Sequence, residues 1–355
     1  MRKLLWPLSW VYGVAVYLRN MGFGLGLLKQ VDFPVPVVVI GNLSAGGTGK
    51  SPLVQLLAGA LSKEFKVAIL SRGYGRSTRG FRFVSKEDTA RQSGDEPLQY
   101  VHTLDNVIVA VCEDRVEGIR RLLAEGSPPD VILLDDAFQH RYVKPGYAIL
   151  LTEFSKPYYS DSLLPSGNLR EPAVGAKRAD AIVVTKCLPQ VTVQERQKIR
   201  EELKPLQHQQ IYFSYIHYRD PLQRTDGTHL PLEILKKSKV MLLCGIANPQ
   251  GLIDFVSSKA IAVETCVFPD HHPYSVGDII KLKNRFISFA SALPDQTFLL
   301  TTRKDYMRLL NPELQHLLKE LPLLILDIAP SFFPADQTSL PDTVRNYIMG
   351  FRKNH

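Results

Sequence analysis

A glycine-rich stretch that ends in a lysine and a serine is the strongest chemical signal in this sequence. Its last eight residues are Ser44, Ala45, Gly46, Gly47, Thr48, Gly49, Lys50 and Ser51. Glycines let backbone N–H groups turn inward around an anion, a lysine reaches terminal phosphates, and a serine hydroxyl can ligate Mg²⁺. The general pattern of such loops begins with glycine, where this chain has Ser44. The stretch predicts a site for nucleotide phosphates.

Acidic residues occur at two further places that suit phosphate chemistry. Asp135 and Asp136 close the apolar run DVILL, where P-loop enzymes keep the carboxylate that holds Mg²⁺ directly or through water. The alternative is that one of them caps the following helix. Asp95 lies in the turn SGDEP, where aspartate suits either a helix N-cap or a general base.

Histidines and an arginine complete the set of candidates. His271 and His272 follow Asp270 in FPDHHPY, and two adjacent histidines after an acid favour proton handling over a structural role. The segment SGNLREP supplies Arg170, a cation that suits a transferring phosphate, and Glu171, a candidate metal carboxylate. The alternative for this segment is a surface turn.

The elements that must position these residues alternate between strands and helices. An apolar β-branched strand at 37–40 precedes the loop, and helical spacing of apolar residues follows it from Leu53 to Leu61. Further strands are predicted at 66–70, 106–111, 130–134, 148–151 and 181–184. This alternation predicts an α/β fold with a parallel, doubly wound sheet, whose ligands bind at the carboxyl ends of the strands.

The chain of 355 residues is long for a single core, and its pattern changes near residue 209. The run 211–218 predicts extended strands that bridge two domains, and a second, smaller α/β set follows. We therefore predict a membrane-associating segment at 1–32, a core domain at 33–208, a strand linker at 209–235 and a smaller domain at 236–355.

Overall composition excludes some classes of partner. The net charge of +8 suits a protein that works near phosphates or an anionic surface. No lysine-arginine block or RNA-binding signature is present, so nucleic acid is not predicted as a partner. Four widely spaced cysteines without a C-x-x-C motif fit reduced thiols. No segment indicates an obligate protein partner.

The first thirty residues contain four basic residues, no acidic residue and both tryptophans of the chain. The uncharged run from Leu4 to Leu18 is shorter than the ~20 residues that a transmembrane helix needs. No small-residue cleavage site follows it. Aromatic side chains at the headgroup level and cations near anionic lipid predict an interfacial anchor. The alternative is a terminal helix packed on the protein's own core.

Six motifs, taken in order, resemble those of the tetraacyldisaccharide 4'-kinase family of Gram-negative bacteria. They are GNLSAGGTGKSP, SRGYG, GDEP, LLDDAFQHR, LLPSGNLREP and FPDHHPY. Ser51 stands where the family usually has threonine, and Ala137 stands where glycine is common. The resemblance implies a P-loop NTPase-like α/β/α sandwich and a second, smaller α/β/α domain joined to it by a strand linker.

The same resemblance implies an activity and a location. The family phosphorylates the 4'-hydroxyl of tetraacyldisaccharide 1-phosphate with ATP, giving lipid IVA in lipid A biosynthesis. The lipid substrate then places this chain at the anionic, cytoplasmic face of the bacterial inner membrane.

Site roles follow by matching motifs. Asp95 is implied as the base that takes the sugar proton, paired with His271, which occupies the family's position beside Asp270. Arg170 is implied to stabilise the moving phosphoryl group. The residues implied to bind ATP are 44–51 with Gln139, and those implied to hold Mg²⁺ are Ser51, Asp135, Asp136 and Glu171.

Three other classes of function stay open. One is a membrane-associated switch ATPase without a lipid acceptor, but the partitioning type has a lysine early in its loop, where this chain has Ser44-Ala45. A GTPase-like metallochaperone needs an N-K-x-D motif, and the segment TKCL at 185–188 lacks the aspartate. A non-catalytic lipid-binding protein would leave Asp95, His271 and Arg170 unexplained.

Overall fold

The computed structural model describes residues 2–333 and 339–354, apart from the side chains of residues 2, 3 and 354. The described strands are β1 Val37–Asn42, β2 Val67–Ser71, β3 Arg82–Phe83, β4 Val107–Val111, β5 Val131–Asp135, β6 Tyr147–Glu153, β7 Ala181–Cys187, β8 Gln210–Tyr218, β9 Leu222–Arg224, β10 His229–Leu230, β11 Lys239–Cys244, β12 Ala262–Val267, β13 Thr297–Thr302, β14 Leu323–Leu326 and β15 Ile328–Phe332. The described α-helices are α1 Trp6–Gly24, α2 Lys50–Leu61, α3 Ala90–Ser93, α4 Asp95–Thr103, α5 Arg115–Leu123, α6 Val193–Leu203, α7 Gln250–Ser257, α8 Val276–Ala290, α9 Arg303–Leu309, α10 Pro312–Leu318 and α11 Leu340–Asn354.

The larger sheet has the order β15-β8-β7-β6-β1-β5-β2-β4-β3. Its seven inner strands are parallel, and the edge strands β15 and β3 are antiparallel to their neighbours. Alternate residues of β1 enter two different cores, Val37 and Val39 on one face, Val38 and Ile40 on the other. Helices α2 and α11 cover one face and α5 covers the other, because each has an apolar stripe to bury.

The smaller sheet has the order β10-β9-β14-β13-β11-β12. Strands β14, β13, β11 and β12 are parallel, and the short strands β9 and β10 form an antiparallel edge. Helices α8 and α10 pack on one face, and α7 packs on the other. The predicted fold class, an α/β/α sandwich with a second, smaller α/β/α domain, is therefore confirmed.

The boundaries between the two domains differ from the prediction. Strand β8, which we assigned to the linker at 209–235, pairs with β7 and β15 in the larger sheet. Strand β15 and helix α11, which we assigned to the smaller domain at 236–355, also belong to the larger one, and Leu340, Val344 and Ile348 lie in its core. Hydrophobic alternation identifies a strand but not its neighbours in the sheet. The sequence therefore could not show that the chain returns to the larger domain after the smaller one.

Helix α1 lies on the larger domain by one side only. Among its described side chains, only Ser9 and Phe23 are buried. The exposed apolar residues of this segment are Leu4, Leu5, Trp6, Leu8, Trp10, Val11, Val14, Tyr17, Leu18 and Met21. One side of α1 thus packs on the protein, as the alternative interpretation expects, and the interfacial anchor stays a prediction for the exposed side. Within residues 2–333 and 339–354, no helix combines the length and apolarity needed to span a bilayer.

Candidate active site

The glycine-rich loop lies between β1 and α2, at the carboxyl edge of the larger sheet. Gly46 and Gly49 have φ of 122° and 87°, in the region that favours glycine, and Gly49 is the N-cap of α2. The end of β7 supports the loop: Thr185 Oγ1 donates to the carbonyl of Thr48 at 2.8 Å, and Lys186 Nζ donates to that of Gly47. The TKCL segment, which was compared with a guanine-binding motif, thus contacts the glycine-rich loop.

Lys50 and Arg170 meet at the carboxylate of Asp136. Lys50 Nζ is 3.6 Å from Asp136 Oδ1, and Arg170 Nη1 donates to both oxygens at 3.1 and 3.2 Å. Burial alone would raise the pKa of Asp136, but these two cations hold it below its ordinary value. Asp136 therefore stays ionised between the cations of Lys50 and Arg170.

Asp135 is fully buried at the end of β5 and has a different environment. Its Oδ2 accepts hydrogen bonds from Tyr100 Oη at 2.9 Å and Ser71 Oγ at 3.3 Å. Its Oδ1 is buried without a hydrogen-bond partner among the described residues. Burial, together with the carboxylates of Glu96 and Asp136, raises the pKa of Asp135 to about 7. An unpaired buried oxygen near other carboxylates is a place where a cation would be stabilised.

The oxygen atoms of the side chains around Asp135 are ligands of the kind that Mg²⁺ prefers. That ion binds through one or two carboxylates and keeps water and substrate phosphate as its other ligands. Asp135 and Asp136 supply two carboxylates, and Ser51 adds a hydroxyl at the start of α2. In the part of the chain that the structure describes, no group of three or more His, Cys, Asp or Glu residues forms a complete metal cage. No α-helix begins directly after Asp136, so the capping alternative is wrong.

Glu171 is buried, and protein donors occupy both of its oxygens. Gln139 Nε2 and Arg178 Nη2 donate to Oε1 at 3.0 and 2.9 Å, and Asn20 Nδ2 donates to Oε2 at 3.1 Å. Gln139 Nε2 also donates to the carbonyl of Asn42 at 2.7 Å. This network ties the Arg170-Glu171 segment to the end of β1, and the metal role of Glu171 stays a prediction.

Asp95 occupies the first position of α4, and Gly94 before it is the N-cap. Gly94 has φ of 94° and ψ of 152°, a conformation that essentially only glycine adopts. A Cβ at this position would lie 3.2 Å from the carbonyl oxygen of Tyr74. The GDEP and SRGYG motifs are therefore packed against each other. This contact fixes the first residue of α4 and with it the position of Asp95.

Asp95 contacts His271 across the two domains. The Nδ1 of His271 lies 2.9 Å from Asp95 Oδ2. The hydrogen bond to Asp95 raises the pKa of His271, although burial opposes it. Burial alone would raise the pKa of Asp95, but His271, Lys304 and Arg308 hold it below its ordinary value. The pair thus favours a carboxylate beside an imidazole that holds its proton more tightly than usual.

His272 points to partners within its own domain. Its Nε2 is 3.1 Å from Asp278 Oδ2, in the capping box of α8, and its ring stacks on Phe268 with centroids 4.6 Å apart. Of the two adjacent histidines, His271 is the one that faces Asp95. The geometry agrees with our choice of His271, whose role in catalysis stays a prediction.

Two cationic side chains of α9 contact this pair, and neither of them is predicted from the sequence as a site residue. Lys304 Nζ lies 3.2 Å from His271 Nε2 and 3.5 Å from Glu96 Oε1, and Arg308 Nε lies 3.8 Å from Asp95 Oδ2. Burial alone would lower the pKa of Lys304, but the surrounding carboxylates raise it overall. A signal was available, because Lys304 follows β13 at the same kind of strand end as Asp135.

The candidate residues form two clusters connected by α4. One contains the loop, Lys50 and the residues around Asp135 and Asp136, and the other contains Asp95 and His271. Helix α4 connects them, because it carries Asp95 at its start and Tyr100, the donor to Asp135, farther along. An anion loop, converging cations and a carboxylate–imidazole pair together suit phosphoryl transfer to a hydroxyl group.

Comparisons with known proteins cover nearly the whole chain. A model of the tetraacyldisaccharide-1-P 4'-kinase family matches residues 1–348. The tetraacyldisaccharide 4'-kinase of Flavobacterium johnsoniae is 40% identical over 323 residues, covering 91% of this chain and 92% of that protein. The one from Phocaeicola vulgatus is 37% identical over 359 residues, covering 99% and 96%. The structure of LpxK from Aquifex aeolicus in complex with ATP has a TM-score of 0.73 at 29% identity and covers 99% of both chains.

Proposed function

This chain belongs to the tetraacyldisaccharide 4'-kinase family, and from that premise we propose how its residues perform the reaction. The enzyme is a kinase of lipid A biosynthesis that transfers the γ-phosphoryl group of ATP to the 4'-hydroxyl of a tetraacyldisaccharide 1-phosphate, giving lipid IVA. The observation that carries the proposal is the 2.9 Å contact between Asp95 and His271. It joins one motif of each domain into a single proton-accepting pair.

Asp95 acts as the general base. Its carboxylate accepts the proton of the sugar hydroxyl while the hydroxyl oxygen bonds to the γ-phosphorus and the bond to the departing ADP oxygen breaks. His271 orients the carboxylate and shares the proton. Lys50 and Arg170 neutralise the charge of the transferring group, and their common contact with Asp136 supports this role.

The remaining predicted residues hold the nucleotide and its metal. Residues 44–51 bind the phosphates of ATP, and Gln139 holds the neighbouring backbone in place. Ser51, Asp135 and Asp136 would hold Mg²⁺, with Glu171 as a further predicted ligand; when bound, the ion supplies positive charge to the phosphates. The buried, unpaired Oδ1 of Asp135 supports this assignment.

A transfer assay tests the role of Asp95. Labelled γ-phosphate is followed from ATP to a tetraacylated disaccharide 1-phosphate in detergent. We expect Asp95→Ala to lose about 10²–10⁴ in kcat, because a positioned base contributes that much, with ATP affinity intact. The matched control is Asp105→Ala, since the side chain of Asp105 is 93% exposed.

Two outcomes would contradict these proposals. Full turnover by Asp95→Ala would remove Asp95 from catalysis. If the folded, ATP-binding wild type transferred no phosphate to the lipid, the switch ATPase would become the better interpretation.

The N-terminal helix places the enzyme on the cytoplasmic face of the inner membrane. Trp6 and Trp10 of α1 are 66% and 65% exposed, although the opposite side of the helix lies on the larger domain. Aromatic side chains favour the headgroup level, and the net charge of +8 favours anionic lipid. The acyl chains of the substrate then stay in the bilayer while its sugar reaches the site.

Vesicle partitioning tests this membrane surface. We expect the double variant Trp6→Ser/Trp10→Ser to bind vesicles of phosphatidylethanolamine and phosphatidylglycerol about tenfold more weakly or worse, because two apolar contacts are lost. The control is Ile287→Ser, which removes an exposed apolar side chain of α8. Equal partitioning of the two variants would exclude α1 as the membrane surface.

A further inference from the structure

The inner side of α1 is held on the candidate active site by polar contacts. Ser9 Oγ donates to Ser166 Oγ at 2.8 Å and accepts from the backbone N–H of Ser166 at 2.9 Å. Tyr12 Oη donates to the carbonyl of Arg170 at 2.6 Å, and Asn20 Nδ2 donates to Glu171 Oε2 at 3.1 Å. These four hydrogen bonds, made by three residues of α1, all reach the same segment, 166–171, which carries two of the predicted site residues.

The Arg170 peptide is held from two sides. Its N–H donates to the carbonyl of Leu43 at 2.7 Å, at the start of the glycine-rich loop. Its carbonyl accepts from Tyr12, and its guanidinium donates to Asp136. Burial raises the pKa of Tyr12, so its hydroxyl stays protonated and remains a donor. The backbone from which the guanidinium extends is therefore fixed by α1 on one side and by the loop on the other.

Glu171 depends on α1 in the same way. Gln139 and Arg178 donate to its Oε1, and Asn20 is the donor to its Oε2. Asn20 is itself held, because Arg141 Nη1 donates to its backbone carbonyl at 2.9 Å. A buried carboxylate oxygen that lost its donor would either move or attract water, and either change would disturb the neighbouring Arg170.

We propose that Tyr12 and Asn20 are positioning residues for phosphoryl transfer, which hold Arg170 and Glu171 in the geometry that the reaction requires. This inference rests on the proposed function of Arg170. It gives α1 a second task besides contact with lipid: the helix completes the active site from outside the sheet. Neither residue touches the reacting atoms, so each acts through the 166–171 segment.

The test compares Tyr12→Phe and Asn20→Ser with Tyr212→Phe. The control removes a tyrosine hydroxyl that bonds Gln210 and Thr343 near the start of β8, at the opposite edge of the sheet. We expect each α1 variant to lose about 2- to 10-fold in kcat, since one hydrogen bond is lost. The KM for ATP, the melting temperature and partitioning into vesicles of phosphatidylethanolamine and phosphatidylglycerol should match those of the control.

A double-mutant cycle separates positioning from a general loss of structure. If Tyr12 acts through Arg170, the variant Tyr12→Phe/Arg170→Ala should be no slower than Arg170→Ala alone. Fully additive losses, or a kcat of both α1 variants equal to that of Tyr212→Phe, would overturn the proposal.

The same cycle is measured as ATP hydrolysis without lipid. If the lipid-kinase assignment were wrong, wild type would transfer nothing to the disaccharide, yet Tyr12→Phe would still slow hydrolysis. Transfer by wild type with α1 variants as fast as the control in both assays would contradict the positioning role alone.

Discussion

Asp95 and Asp135 have opposite electrostatic environments, and this difference fits the different roles that we propose for them. Asp95 is surrounded by His271, Lys304 and Arg308, which lower its pKa against the effect of burial. Asp135 is buried near other carboxylates, and its pKa is raised to about 7. The first is a carboxylate that stays ionised beside its imidazole partner, as the proposed general base requires. The second is an acid whose charged form needs a cation.

The pH dependence of turnover follows from the raised pKa of His271. Below that pKa the imidazole is protonated, and the Asp95–His271 pair has little capacity for another proton. As the pH rises through it, His271 loses its proton and the pair can accept that of the sugar. We therefore expect kcat to rise about tenfold per pH unit below the raised pKa of His271, and to level off only above that pKa, at a pH higher than the ordinary histidine value of 6.5.

The measurement is a profile of kcat between about pH 5.5 and 9 for wild type and His271→Ala. His271→Ala should be slower than wild type and should lack this rise of kcat with pH, which we call the pH limb. His272→Ala should keep it, because His272 bonds Asp278 within its own domain. Loss of the limb in His272→Ala, and its retention in His271→Ala, would show that the wrong histidine had been chosen.

At the scale of elements, α4 connects the two halves of the site. Its first residue is Asp95, and Tyr100, farther along the same helix, holds the carboxylate of Asp135. The start of a helix also favours negative charge, which suits Asp95 and Glu96 in the first turn. A shift of α4 would therefore displace the proposed base, Asp95, and the proposed metal carboxylate, Asp135, together.

Gly94→Ala tests how strictly the start of α4 is set. An added Cβ would meet both an unfavourable backbone conformation and the carbonyl of Tyr74 at 3.2 Å. We expect the free energy of unfolding in urea to fall by about 1–3 kcal/mol. We expect kcat to fall as well, because Asp95 moves.

The control is Gly59→Ala on α2, where a Cβ would lie 3.5 Å from Leu104 Cδ2, an ordinary contact. That variant should be neutral or more stable by about 0.5–1 kcal/mol, because alanine favours a helix more than glycine does. A Gly94→Ala protein as stable and as active as this control would mean that the α4 boundary tolerates change.

Strand ends were predictable from the sequence, and contacts between distant elements were not. Apolar runs located β1, β5 and β7, and the candidate chemistry at the ends of β1 and β5 followed from motifs. The donors Tyr12 and Asn20 belong to no motif of the active site and reach it only because α1 folds back over residues 166–171. Such contacts depend on tertiary packing, which hydrophobic periodicity does not encode.

For the whole molecule, ion pairs between the domains hold the site together. Glu96 and Asp95 of the larger domain face Lys304, Arg308 and His271 of the smaller one. Charges of opposite sign thus meet at the proposed catalytic pair. As a hypothesis, domain closure assembles the base and excludes water from the reaction.

Loss of one cation should loosen this contact. We expect Lys304→Met to broaden the distribution of distances between spin labels at Lys63→Cys and Lys319→Cys, measured by pulsed electron resonance. The ion pair with Glu96 contributes up to about 1 kcal/mol, so the open fraction should rise about two- to fivefold. The four native cysteines are buried and should not take up label.

The matched control for this measurement is Lys283→Met. It breaks the ion pair of Lys283 with Glu320 inside the smaller domain and should leave the distances unchanged. Identical distributions for Lys304→Met and the control would mean that apolar packing alone sets the arrangement of the domains.

The path of the chain has a mechanical consequence. The smaller domain is an insertion between β8 and β15. The two chain segments that connect it to the larger domain run side by side as a two-stranded ribbon. Along this ribbon Ile328 pairs with Tyr218, Arg219 N–H donates to the carbonyl of Asp327 at 2.8 Å, and Leu324 pairs with Arg224. A two-stranded ribbon bends readily out of its plane and resists shear within it. Under the domain-closure hypothesis, such a ribbon would restrict the inserted domain to swinging about a single axis, and each closure would then return His271 to Asp95.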